Sequence, residues 1–156
     1  MTLIAPSILS SDFSCLADET ARIKAAGADW VHIDVMDGRF VPNLTFGAPV
    51  VKCLRKKTDM FFDCHLMVEQ PENYVDAFAA AGADMIVIHT EATKHLHRVL
   101  EAIHGKGIKA GVALNPASPL CFVEEVLPLC GYGSYYVGIL VWRQSSLKRA
   151  LIRFTA

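Results

Sequence analysis

Residues 30–40 read WVHIDVMDGRF, a short apolar stretch that contains a histidine and an aspartate and ends in an Asp-Gly turn. Its composition predicts a buried β-strand. Alternate side chains of a strand point to the same face, so His32, Asp34 and Met36 share one face of it. A buried carboxylate is costly unless a proton, a cation or a metal ion lies beside it. We therefore expect this strand to contribute both to the core and to a polar site.

The strand is one copy of a repeated unit made of a helix, a glycine and a buried strand. The sequence AAGAD precedes it at residues 25–29 and occurs again at residues 80–84, and KGIKA at residues 106–110 is a looser copy. Regular alternation of helices with short apolar strands predicts a parallel sheet with right-handed crossovers. Because the sequence contains no GxGxxG or P-loop motif, a (β/α)8 barrel is favoured over a doubly wound sheet.

About five β/α units fit into the first 130 residues, whereas a complete barrel needs at least about 200 residues. Strands are predicted at residues 3–9, 30–35, 60–67, 85–89 and 108–114. Helices are predicted at residues 13–26, 48–56, 71–81, 93–104 and 120–127. The predicted fold class is thus α/β, an incomplete barrel of the (β/α)8 type.

The composition is that of one globular domain. The chain has 156 residues, of which 53% are hydrophobic, and its mean hydropathy is +0.32. No apolar run reaches the ~18 residues of a membrane span, so no membrane association is expected. The first residues lack the basic segment and apolar core of a secretory signal, which favours a cytoplasmic location. The five cysteines form no CxxC pair, so neither a disulfide framework nor a zinc ribbon is expected.

Polar side chains collect near the predicted carboxyl ends of the strands, where barrels carry their active sites. His32 and Asp34 lie near the end of the second predicted strand, and His65 lies near the end of the third. Two imidazoles and a carboxylate suit a divalent metal ion with open coordination positions. Asp34 is also a candidate general base, since a metal beside a carbonyl stabilises the enediolate that proton removal creates. Met36 and Met67 would line this pocket, or else they fill the core.

Other positions are less specific. Ser7 falls in the first predicted strand, and His89 ends the fourth, where its role stays open. Cys64 beside His65 suggests a nucleophile pair, but adjacent strand residues point to opposite faces. Three further histidines are expected to face solvent on the helix over residues 93–104, namely His95, His97 and His104.

Four motifs occur in the order APSILSSDF, GADWVHIDVMDGRFVPNLTFG, DCHLMVEQPENYV and GVALNPASP. In sequence and spacing they resemble the ribulose-phosphate 3-epimerase family, over residues 2 to about 130. The resemblance implies a (β/α)8 barrel that interconverts D-ribulose 5-phosphate and D-xylulose 5-phosphate in the pentose phosphate pathway. It implies one divalent metal ion (zinc, iron, manganese or cobalt), a sugar-phosphate substrate, and homo-oligomers among family members.

Transferred by position, the resemblance implies three metal ligands, which are His32, Asp34 and His65. It also makes Asp34 the proton acceptor or donor on one face of C3. The implied substrate contacts are Ser7 and His65, together with the methionines that flank the enediolate, Met36 and Met67.

After about residue 130 the resemblance ends, because the NPGFGGQ phosphate loop and the strand with a second catalytic aspartate do not follow. Residues 126–156 contain four basic residues and no acidic one. We therefore expect residues 1–130 to form a partial ribulose-phosphate-binding barrel and residues 131–156 to be an aberrant tail produced by a frameshift. The alternative is a genuine tail strand at residues 135–142 followed by a basic helix.

With one acid–base group on one face of the sugar, the chain as written is expected to have little or no epimerase activity. Three other functions stay open. One is epimerisation of a six-carbon ketose phosphate such as allulose 6-phosphate, and another is a non-catalytic fragment that folds against a partner. The third, nucleic-acid binding through the basic tail, is disfavoured because no matching basic face accompanies it.

Overall fold

Four parallel strands pair in the order β1-β2-β3-β4, at Trp30–Met36, Phe61–Met67, Met85–His89 and Lys109–Ala113. Four helices precede or connect them, namely α1 (Leu16–Ala25), α2 (Ala48–Arg55), α3 (Val75–Ala81) and α4 (Leu96–His104). The computed structural model describes residues 3–130, 135–139 and 150–154. Each strand pairs with the next one along the chain, as consecutive units of a barrel do, whereas a doubly wound sheet reverses its strand order.

The amino-terminal segment runs beside β1 without forming the strand predicted for residues 3–9. The carbonyl of Pro6 accepts a hydrogen bond of 2.9 Å from the His32 N–H, and Ser7 forms an isolated parallel bridge with His32. Proline supplies no N–H to a ladder, and a 3-10 turn begins at Ile8. The prediction of a regular strand here was wrong, although the segment occupies the sheet edge next to β1.

The outward face of the sheet packs against the helices and forms the main core. Its buried residues alternate along the strands, as in Val31, Ile33, Phe62, Cys64, Leu66, Ile86, Ile88 and Val112. At the amino ends of β1 and β2 the inner face is apolar, and the rings of Trp30 and Phe61 stack there with centroids 4.3 Å apart. Period-2 alternation thus separates a helix-covered apolar face from an inner face that also contains polar side chains.

The two AAGAD segments form the same local structure. Gly27 and Gly82 follow α1 and α3 with φ values of +89° and +94°, in the left-handed region that favours glycine. The aspartate two residues later then accepts a backbone N–H from an element that comes earlier in the chain. Asp29 accepts from Ile4 at 2.8 Å, and Asp84 accepts from Phe62 at 2.7 Å. The repeat therefore joins neighbouring elements of the sheet.

We expect Gly82→Ala to cost more stability than the matched change Gly27→Ala. The left-handed conformation costs an alanine roughly 1 kcal/mol at either position. At Gly82 an added Cβ would also lie 2.6 Å from Cγ and Cδ of Arg55, whereas nothing lies within 4 Å at Gly27. Arg55 cannot swing away freely, because its guanidinium binds Asp84 and two backbone carbonyls. Urea unfolding should give losses of about 1 kcal/mol for Gly27→Ala and about 2–4 kcal/mol for Gly82→Ala, and equal losses would contradict this account.

The carboxyl-terminal part of the chain differs from its prediction. Residues 120–127 were expected to form an α-helix, but 3-10 turns occur at Leu120–Phe122 and Glu124–Leu129. Pro128 lies inside the second turn and cannot continue an α-helical hydrogen-bond pattern. A separate antiparallel pair is formed by β5 (Tyr135–Ile139) and β6 (Ala150–Phe154). β5 overlaps the tail strand of the alternative prediction, whereas residues 150–154 form a strand and not a basic helix. Residues 140–149 lie outside the described residues, and the origin of the tail stays a prediction.

In the part of the chain that the structure describes, no helix combines the length and the apolar character needed to cross a bilayer.

Candidate metal centre

Two pairs of polar side chains and then a pair of methionines follow the inner face of β1 and β2 toward their carboxyl ends. The parallel register sets three pairs side by side, which we call the rungs, namely His32 with Asp63, Asp34 with His65, and Met36 with Met67. Both aspartates are fully buried, and His65 is 3% exposed. A sheet that buries two carboxylates and an imidazole on one face needs compensating charge or hydrogen bonds there.

Asp34 lies between the two histidines. Its Oδ1 atom is 3.1 Å from His32 Nε2 and 3.6 Å from His65 Nδ1, and its Oδ2 atom accepts a hydrogen bond from the Ser7 hydroxyl. One candidate ligand atom from each of the three residues lies within 4.8 Å of the others. Ligand atoms ~2.1 Å from a tetrahedral zinc ion are ~3.4 Å apart. The fold therefore brings the three predicted ligands together, and the two distances from Asp34 Oδ1, 3.1 Å and 3.6 Å, are close to this spacing.

The charges at the site also favour a cation. His32 Nδ1 is 2.7 Å from Asp63 Oδ2. Burial lowers the pKa of His32, but the charge of Asp63 and the hydrogen bonds to Asp34 and Asp63 outweigh it and raise this pKa to about 9. Two buried carboxylates thus draw a positive charge to this position, which a proton or a metal ion can supply. A carboxylate behind a ligating histidine is the usual outer-shell arrangement of protein metal sites.

A second contact between polar side chains joins His65 on β2 to His89 on β3. His65 Nε2 is 2.9 Å from His89 Nε2, and the two rings stack with centroids 5.0 Å apart. His89 is 2% exposed, and burial together with the charge of His65 lowers its pKa to about 4. Its Nδ1 atom lies 3.4 Å from Glu91 Oε2. Polar groups therefore extend across three strands, from β1 to the turn after β3.

The remaining candidate residues fall into three groups. Met36 and Met67 form the last rung, where they are 3% and 1% exposed. Cys64 is fully buried in the core on the opposite face, and burial raises the pKa of its thiol, so it forms no nucleophile pair with His65. His97 is exposed on α4 and His95 is exposed just before it, as predicted, whereas His104 at the end of α4 is half-buried.

Sequence reasoning missed Asp63 and left His89 without a role. The spacing Asp63-x-His65 mirrors His32-x-Asp34, so the period of a strand already placed Asp63 and His65 on one face. The register that sets Asp63 beside His32 was the missing information. For His89, its position at the end of the fourth predicted strand was the available signal.

The sequentially ordered parallel sheet defines this protein as part of a (β/α)8 barrel. Solved structures with a similar fold include the tryptophan synthase alpha chain from Legionella pneumophila, with a TM-score of 0.57 and 17% identity over 90% of this chain and 62% of that chain. KGPDC from Streptococcus mutans gives a TM-score of 0.55 and 16% identity over 92% of this chain and 67% of that chain. Such identities establish the fold alone, and they confirm the predicted fold class.

The model of the ribulose-phosphate 3 epimerase family matches residues 3–132, and the chain belongs to this family. It is 54% identical over 125 residues to the ribulose-phosphate 3-epimerase of Treponema pallidum, a match that covers 80% of this chain and 57% of that protein. The Synechocystis enzyme is 55% identical over 130 residues, covering 82% and 56%, and the Bacillus subtilis enzyme is 51% identical over 126 residues, covering 81% and 58%. The chain thus spans little more than half the length of these relatives. The family resemblance predicted for residues 2 to about 130 is confirmed.

Proposed function

We propose that this site is the metal-binding and proton-transfer part of a centre that epimerises C3 of D-ribulose 5-phosphate to give D-xylulose 5-phosphate. The observation that carries the proposal is the position of the Asp34 carboxylate, with one oxygen facing both histidines and the other held by Ser7. His32, Asp34 and His65 hold one divalent ion, which is zinc, iron, manganese or cobalt. When bound, the ion supplies Lewis-acid stabilisation of the negative charge that develops on the substrate oxygens.

In this proposal Asp34 moves the proton. Its carboxylate takes the proton from C3, and the electron pair of the broken C–H bond delocalises toward the C2 carbonyl as an enediolate. Return of the proton to the same face regenerates the substrate, whereas protonation of the opposite face gives the epimer. The Ser7 hydroxyl fixes the orientation of the carboxylate by its hydrogen bond to Oδ2.

Neighbouring side chains complete the substrate pocket. Ser7 and His65 contact the sugar, and the rung of Met36 and Met67 flanks the reacting carbon with apolar surface that keeps water away from the enediolate. Residues 1–130 carry all of these side chains, and we treat residues 131–156 as a separate tail. The support is the burial of both methionines beside the Asp34–His65 rung.

The test is proton exchange at C3. The purified chain, loaded with Co²⁺ or Zn²⁺, is incubated with D-ribulose 5-phosphate in D₂O, and ¹H NMR follows the C3 proton and the appearance of D-xylulose 5-phosphate. We expect exchange at C3, with interconversion slower than exchange, since Asp34 serves one face of the carbon. D-allulose 6-phosphate, measured in parallel, tests the six-carbon alternative. Interconversion that proceeds without exchange at C3 would contradict the proposal.

Removal of the metal ion should lower the exchange rate by about 100-fold or more. The Lewis-acid contribution is several kcal/mol, and each ~1.4 kcal/mol changes a rate tenfold. The protein is treated with a chelator, desalted and assayed, and the ion is then restored. Equal exchange by the chelated and the reloaded protein would exclude a metal-dependent reaction. Recovery on reloading separates loss of the ion from damage to the fold.

A further inference from the structure

His65 and His89 meet through the same ring atom. Their Nε2 atoms are 2.9 Å apart, and both rings are buried. A hydrogen bond between two imidazole nitrogens needs an N–H on one ring and a lone pair on the other. The contact therefore permits only two arrangements, one with His65 as the donor and one with His89 as the donor.

The surroundings of the other nitrogen of each ring, Nδ1, select one of these arrangements. His65 Nδ1 points to the Asp34 carboxylate, at 3.6 Å from Oδ1, and is the atom available to a metal ion. A ligating nitrogen uses its lone pair, so His65 carries its proton on Nε2 and donates it to His89. His89 Nε2 then accepts, which requires the proton of His89 to be on Nδ1.

Glu91 stabilises that tautomer of His89. Its Oε2 atom lies 3.4 Å from His89 Nδ1, which makes no hydrogen bond of good geometry among the described residues. The other carboxylate oxygen accepts hydrogen bonds from the Asn115 N–H at 2.8 Å and from the Ser118 hydroxyl. These bonds hold the negative charge of Glu91 beside His89 Nδ1. An N–H at this atom is therefore favoured over a lone pair.

The orientation of His89 is also restrained by packing. The ring of Phe40, from the segment after β1, lies against it with centroids 4.9 Å apart, and His65 stacks on it with an interplanar angle of 21°. A ring held between two others cannot flip freely, and a flip would place Cε1 instead of Nε2 against His65. The packing thus fixes which nitrogen of His89 faces His65.

We infer that His89, oriented by Glu91, is a positioning residue that keeps the proton of His65 on Nε2 and so leaves Nδ1 of His65 free to bind the metal ion. This inference rests on the proposed metal site. It extends that site by an outer shell that crosses from β2 to the turn after β3. His89 touches neither the ion nor the substrate in this arrangement.

The first measurement needs no metal. Long-range ¹H–¹⁵N NMR of the metal-free wild-type chain should show a protonated Nε2 on His65 and a protonated Nδ1 on His89. The reversed tautomers would overturn the inference. The metal-free spectrum decides between two carboxylates, because Asp34 Oδ1 lies 3.6 Å from His65 Nδ1 and favours an N–H there, whereas Glu91 favours an N–H on His89 Nδ1. A wild-type chain that binds no Co²⁺ would count against the proposed function, while this spectrum would still decide the role of His89.

The second measurement is a Co²⁺ titration followed by visible absorption. His89→Leu cannot accept the His65 proton and should weaken binding by about 10- to 100-fold, as losses of outer-shell partners do. His89→Gln, whose amide oxygen can accept that proton, should stay within about threefold of wild type. His97→Gln, a change of an exposed histidine on α4, is the matched control and should bind as wild type does.

Circular dichroism verifies that each variant is folded. Wild-type affinity in His89→Leu would overturn the inference, and so would equal weakening in His89→Leu and His89→Gln. If His89→Leu fails to fold, the Co²⁺ affinity of His89→Gln and the NMR spectrum of the wild-type chain still test whether His89 positions His65.

Discussion

Asp34→Asn is expected to lower proton exchange at C3 by about 100- to 10,000-fold, the usual contribution of a positioned acid–base group. An asparagine amide has nearly the same shape as the carboxylate but does not take up a proton near neutral pH. It also removes one of the two buried negative charges that draw a cation to the site. Initial exchange rates measured by NMR in D₂O at saturating Co²⁺ give the effect on proton transfer. Titration with Co²⁺ gives the accompanying loss of affinity.

Asp76→Asn is the matched control for this change. Asp76 lies on α3 with a side chain that is 82% exposed, where it pairs with Lys106. Exposed ion pairs contribute little, so neither exchange nor Co²⁺ affinity should change. Exchange by the Asp34→Asn chain within a few-fold of wild type, at full metal occupancy, would exclude Asp34 as the base.

Phe62→Ala is expected to lower the free energy of unfolding by about 3–5 kcal/mol. Phe62 is fully buried on the helix-covered face of β2, and the guanidinium carbon of Arg55 lies 3.9 Å from the centre of its ring. Truncation leaves a cavity and removes the surface against which Arg55 packs. Domains have only about 5–15 kcal/mol of stability, so this variant should be close to unfolding at room temperature. Urea denaturation followed by circular dichroism measures the loss.

Phe122→Ala makes the same chemical change at a side chain whose residue is 58% exposed. The expected effect is within about 0.5 kcal/mol of wild type. Similar losses for the two variants would contradict a core centred on the outward face of the sheet. A wild-type chain without a cooperative transition would instead favour the alternative of a fragment that folds only against a partner.

Short-range patterns were sufficient to predict most of the elements. β3 occupies residues 85–89 as predicted, and β1 extends one residue beyond its prediction, to Met36. The start of α4 was predicted three residues too early, because Thr93 has an extended backbone (φ −136°, ψ 149°) and His95, with φ −131° and ψ 57°, precedes the first helical residue. A glycine that ends a helix and the alternation of apolar residues along a strand are local signals, so they can be read from the sequence directly.

The outer shell of the site could not be predicted in the same way. The contact between His32 and Asp63 depends on which residues of two strands lie side by side, and that register is set by the packing of the whole sheet. The contact between His65 and His89 depends on the positions of β2 and β3 in the same manner. Periodicity gives the face of a residue, but not its neighbour across the sheet.

The register of β1 and β2 would also couple metal binding at the proposed site to correct strand pairing. His32 and Asp63 are 31 residues apart in the chain, and a shift of one residue would send every ligand of the shifted strand to the helix-covered face. An ion that binds only the native pairing stabilises it by ~2.7 kcal/mol when its free concentration is 100 times the Kd. In the proposed site, an ion would therefore stabilise one alignment of the two strands over alignments shifted by one residue, so metal binding would also favour the correctly folded sheet.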